Sequence, residues 1–69
     1  MSVYKVIEII GTSTTSWEDA ASAAVSKARE TLRDLRVAEV VKQDLDVGED
    51  GTLTYRTKLS VSFKYQGES

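Results

Sequence analysis

The 69-residue sequence predicts an α+β fold in β-α-β-β order: a three-stranded antiparallel sheet wrapped around one helix, forming a single domain over residues 1–69. Three observations predict it. A β-branched run opens the chain. An Ala-rich stretch with helical spacing follows. Two long strand-like segments then flank a glycine-bearing turn.

The first strand is Val3 to Ile10, rich in Val and Ile and ended by Gly11. Gly11 to Thr15 reads as a polar loop. Thr15-Ser16-Trp17-Glu18 fits a capping box, with the Thr15 hydroxyl accepting from the Glu18 amide. Glu18 and Asp19 also suit the positive end of a helix. The helix is expected from Ser16 to Asp34, with Trp17, Ala21, Ala24, Ala28, Leu32 and Leu35 on one face. Half of these are Ala, so the helix must lie close to the sheet. Lys27, Arg29, Glu30, Arg33 and Asp34 form a solvated charged face with short-range ion pairs. Arg36 to Val47 is the second strand and Leu53 to Tyr65 the third, joined through Gly48-Glu49-Asp50-Gly51. The third strand sends Leu53, Tyr55, Thr57, Leu59, Val61 and Phe63 to one face. Thr54, Arg56, Lys58, Ser60, Ser62 and Lys64 take the other. Gln66 to Ser69 is expected to fray.

One helix covers one face of such a sheet, and the other face and the edges need water or another subunit. A chain this short gains only ~3–5 kcal/mol from its own core. With no Cys and no His, neither a disulfide nor a zinc site supplements that core. Self-association is the expectation, with function in the assembly.

Composition excludes several classes. Nine basic and eleven acidic residues make a poor nucleic-acid footprint. No apolar run approaches the ~18 residues that span a membrane. The start of the chain has no signal-peptide pattern, and a cysteine-free composition fits the cytoplasm. Without His or Cys, the usual neutral-pH acid–base and thiol chemistry is missing. The four glycines are too scattered to cradle a phosphate. An enzyme would have to work through Lys5, Lys58, Glu8 or Glu39, so a non-catalytic role is expected.

The order and content of these segments resemble one known family. Val3-Tyr4-Lys5-Val6-Ile7-Glu8-Ile9-Ile10-Gly11-Thr12-Ser13, the Ala-rich helix, Val37-Ala38-Glu39-Val40-Val41 and Thr54-Tyr55-Arg56-Thr57-Lys58-Leu59-Ser60-Val61-Ser62-Phe63 resemble the dodecins over nearly the whole chain. The resemblance implies a hollow homododecamer that binds a ligand and does not catalyse. Flavin-binding dodecins carry a Trp at the position of Val37, and pairs of those indoles from neighbouring subunits sandwich the flavin. They carry a flavin-bonding Gln at the position of Arg56. Both are replaced here, which removes the stacking surface and adds a charge. Trp17 sits at the helix start and cannot replace that indole. Val3 to Gly11, Thr15-Ser16-Trp17-Glu18, Arg36-Val37-Ala38, Gln43-Asp44 and Tyr55-Arg56 are more similar to the mycobacterial calcium dodecins, which also lack that Trp. The resemblance to that branch implies calcium as the bound species, with flavin as the runner-up.

Site residues follow from chemistry. Asp44-Leu45-Asp46-Val47-Gly48-Glu49-Asp50-Gly51 alternates acids as calcium loops do, and Asp44 and Asp46 share a strand face. It also reads as a charged hairpin tip. The resemblance implies that Val37, Arg56 and Glu39 mark the pocket that corresponds to the flavin site. Arg56 is expected to bridge to a carboxylate such as Glu39. Glu8 is expected to pair with Lys5 or Lys58. Trp17 is expected to pack the helix start against the sheet or a neighbour. The expected function is a cytoplasmic homododecamer binding a small ligand or a metal ion, calcium first and flavin second. The alternative is a structural or interaction module that recruits another protein.

Overall fold

The computed structural model describes residues 1–65. The expected fraying of Gln66 to Ser69 lies outside the described residues. Strand β1 (Tyr4–Ser13), helix α1 (Trp17–Thr31), and strands β2 (Leu35–Val47) and β3 (Leu53–Lys64) follow in the expected order. The sheet is antiparallel throughout with the order β1-β3-β2, so β3 is central and β1 and β2 are both edges.

Two glycines are fixed by different physics. Strand β1 does not stop at Gly11 but runs on to Ser13. Gly11 is where the helix backbone presses on the strand: a Cβ there would lie 2.0 Å from the Ala20 carbonyl oxygen. The glycine marks close approach, not a chain break. Gly51 holds a φ of +87° in the β2–β3 turn, where a side chain would meet nothing but would strain the backbone. That turn is closed by Gly48 N–H donating to the Thr52 carbonyl (2.8 Å) and by Thr52 N–H donating to Asp50 Oδ1 (3.0 Å).

The helix cap falls one residue later than the sequence suggests. Ser16, not Thr15, is the N-cap, accepting from the Asp19 amide at 3.0 Å. The Asp19 carboxylate accepts from the Ser13 hydroxyl at 2.7 Å, while the Thr15 amide donates back to Ser13 Oγ at 2.9 Å. The helix ends at Thr31, earlier than the expected Asp34. Leu32 turns extended to reach the core, and Asp34 takes a φ of +55° that reverses the chain into β2. Leu32 and Leu35 therefore pack from the connection and from β2, and Ala20 joins Ala24 and Ala28 on the buried helix face.

The core is small. Ala20, Ala24, Ala28, Leu59 and Val61 are its buried apolar residues, with Ile7, Ile9, Val25, Leu32 and Leu35 packed around them. The helix is ~22 Å long and β2 ~43 Å, so the strands outrun their cover. Apolar grooves flank the helix on both sides, one along β1 (about 340 Å³) and one along β2 (about 320 Å³).

Candidate functional site

Register decides which side chains share a face. In β3, Thr57, Leu59 and Val61 are buried beneath the helix, so the alternate residues Arg56, Lys58, Ser60 and Ser62 lie on the helix-free face. Cross-strand partners share that face. Asp46 pairs with Thr54, Asp44 with Arg56, Lys42 with Lys58, Glu39 with Ser60 and Val37 with Ser62. A bulge between Val40 and Lys42 absorbs one residue of β2, which keeps Val37 and Glu39 on the same face as Asp44 and Asp46. All five expected site residues therefore lie on the helix-free face.

They do not form one cluster within the chain. Six residues of β3 separate Arg56 from Ser62, the partner of Val37, a span of ~20 Å. Val37 and Arg56 thus sit toward opposite ends of the face, and a single ring touches both only if chains combine. Glu39 lies beside Val37, and its register partner Ser60 is four residues from Arg56, ~14 Å along the strand. Arg56 is not paired with Glu39 as expected. Its Nε and NH2 groups donate to the two carboxylate oxygens of Asp44, at 2.7 Å and 2.8 Å. The signal was present in the sequence: counting outward from the turn pairs Val47 with Leu53 and hence Asp44 with Arg56.

This two-point contact sets the electrostatics. The Arg56 hydrogen bonds hold the Asp44 carboxyl below its ordinary value of 3.8, against a smaller opposing effect of burial. Arg56 is raised in turn by Asp44. Asp50 is also lowered, by the Thr52 amide at the turn. A shallow cavity of about 120 Å³ lies alongside, lined by Ile10, Lys42, Asp44, Arg56 and Lys58. Glu8 closes on Lys58 at 3.2 Å, one of its two expected partners.

Asp44 is also tied from the opposite side of the sheet. The Trp17 indole N–H donates to the Asp44 carbonyl at 3.0 Å. The indole meets the Tyr55 ring edge-on, with centroids 5.1 Å apart and planes at 85°. The buried Thr57 hydroxyl donates to the Trp17 carbonyl at 2.9 Å. Trp17 thus packs the helix start against the sheet as expected. Its grip on Asp44 depends on tertiary contact, and no local pattern in the sequence signals it.

A hard cation takes six to eight oxygen ligands. Asp44 and Asp46 supply the right donor chemistry on one face. Among the described residues, no three acidic side chains in the chain converge on one point. The residues therefore fit a calcium ion as one chain's share of a coordination shell, and the other oxygens would come from neighbouring copies.

Comparison with known proteins agrees with this architecture. The dodecin family model matches residues 3–66. The chain is 62% identical over 64 residues to the calcium dodecin of Mycobacterium tuberculosis, covering 93% of this chain and 90% of that protein. The crystal structure of calcium dodecin from that organism, described as a calcium-chelating immunodominant antigen with a novel calcium-binding site, superposes with a TM-score of 0.90 at 57% identity, covering 99% of this chain and 97% of that one. The dodecin of Thermus thermophilus is 41% identical over 64 residues, covering 93% of each protein.

Proposed function

The chain belongs to the dodecin family, and on that premise we propose that it is a non-catalytic, calcium-binding homododecamer of the cytoplasm, each subunit a single domain. The observation that carries the reading is the pairing of two oxygen-donor side chains, Asp44 and Asp46, on a helix-free face where Val37 offers no ring for a flavin to stack on. Likeness to a protein named for calcium supports the same choice of ligand.

Assembly is supported by what the chain leaves uncovered. Tyr4, Val6, Ile10 and Val37 are exposed on the helix-free face, and Val40, Leu45, Val47 and Leu53 are exposed on the other. Uncovered apolar area on this scale around so small a core favours burial against copies of itself. Both sheet edges are also open to pairing. Calcium then sits where carboxylates of neighbouring copies meet, because the described residues of one chain bring too few acidic oxygens together.

Native mass spectrometry of the purified protein, with calcium or flavin added separately, tests the reading. A dodecamer that takes up calcium and no flavin is the expected result. A dodecamer retaining flavin would overturn the choice of ligand. A monomer or dimer would overturn the assembly.

A further inference from the structure

We infer that Arg56 is a resident counter-ion for Asp44, with which a divalent cation must compete for that carboxylate. The inference rests on the calcium reading above and concerns the regulation of the same site. It begins from occupancy. Both Asp44 carboxylate oxygens already accept from the Arg56 fork, at 2.7 Å and 2.8 Å, which uses one lone pair of each and sets a positive charge beside them. A planar guanidinium matched to a carboxylate in this way satisfies it better than a single ammonium does. Asp46, two residues on and opposite Thr54, stands outside that pair.

The backbone of Asp44 is fixed while its side chain is free to change partner. Trp17 holds the Asp44 carbonyl from the helix side, and β3 holds the strand through the register pair with Arg56. Exchange therefore needs only side-chain rotation. Arg56 is itself exposed and half-free of neighbours, with 45% of its side chain accessible, so it can swing into water when released. A monovalent ion carries no more charge than the guanidinium and lacks its two directed bonds. A divalent ion carries twice the charge and accepts several oxygens at once. The Arg56–Asp44 pair is thus a selectivity element, raising the threshold for any cation and rejecting monovalent ones most.

Calcium titrations of the assembled protein by isothermal calorimetry, run in parallel with Trp17 emission, test this. Trp17 is the one tryptophan of the chain, and its hydrogen bond to Asp44 makes its emission a local reporter that does not depend on counting ions. Arg56→Gln is expected to tighten calcium binding by roughly two- to fivefold, the scale of an exposed ion pair. Added potassium should then compete visibly in the variant and not in the wild type. Arg56→Lys, which keeps the charge and loses the fork, should fall between the two and serves if the Gln variant fails to assemble. Calcium binding to the wild type with equal or weaker binding to both variants would overturn the counter-ion role and leave the calcium reading standing. No calcium response in any of the three proteins would overturn the calcium reading and the counter-ion role with it.

Discussion

Replacing Gly11 with Ala should separate the helix from the sheet, and the size of the effect follows from distances. The added Cβ would meet the Ala20 carbonyl oxygen at 2.0 Å and the Ala24 Cβ at 2.9 Å. Real Cβ atoms essentially never come within 3.0 Å of such neighbours, so the helix must retreat by at least 3.0 − 2.0 = 1.0 Å. The obstacle is helix backbone, which no rotamer change relieves. A gap of ~1 Å forfeits between a quarter and a half of the dispersion attraction across it. The contacts affected include those of Ala24 with Leu59 and Val61, the buried core cluster. Overpacking of this kind costs about 1–3 kcal/mol. Stiffening of the unfolded chain by Ala offsets ~0.4–1 kcal/mol of that. The middle of the two ranges gives a net loss of about 1.3 kcal/mol, which lowers the melting temperature by ~4–8 °C per kcal/mol in a domain of this size. Urea unfolding followed by circular dichroism and Trp17 emission, at one fixed chain concentration because the proposed assembly would contribute to stability, measures it. A variant within ~0.5 kcal/mol of wild type, with an unchanged denaturant slope, would refute the close helix–sheet approach described above.

Further predictions concern the site. Trp17→Phe keeps an aromatic ring near Tyr55 but removes the donor to the Asp44 carbonyl, and a loss of about 0.5–1.5 kcal/mol in urea unfolding is expected. Asp44 has a folded-state value lowered from 3.8, so its contribution is present above that pH and is lost as pH falls through the folded value. The stability gap between wild type and Asp44→Asn should therefore narrow below about pH 4 in acid titrations, and a gap that widens there would contradict the pairing with Arg56. Val37→Trp combined with Arg56→Gln should create flavin affinity, read as quenching of flavin fluorescence by the assembled protein. Absence of quenching in a well-assembled double variant would mean that these positions do not correspond to the flavin pocket.

The amino-acid sequence by itself determined the order and type of every element. Each depends on local physics: β-branching in Val3 to Ile10, Ala at helical spacing, strict alternation in β3, and a φ of +87° that only Gly51 takes without strain. It also determined that Asp44, Asp46 and Arg56 share a side of the sheet, because counting outward from the turn pairs Asp44 with Arg56 and Asp46 with Thr54. The partner of Glu8 was narrowed to two lysines, and one of them is the partner found. Tertiary structure decided what counting does not reach. Gly11 reads as a stop in one dimension, and only the arriving helix turns it into a point of contact. The helix ends at Thr31 because Leu32 and Leu35 are drawn into the core from outside it, although their spacing continues the helical period. Val37 and Glu39 join Asp44 and Asp46 on one face only because the Val40–Lys42 bulge shifts the alternation of β2, which counting along the strand does not reveal. Trp17 reaches Asp44 across 27 residues of chain, a contact that exists only once helix and sheet have packed.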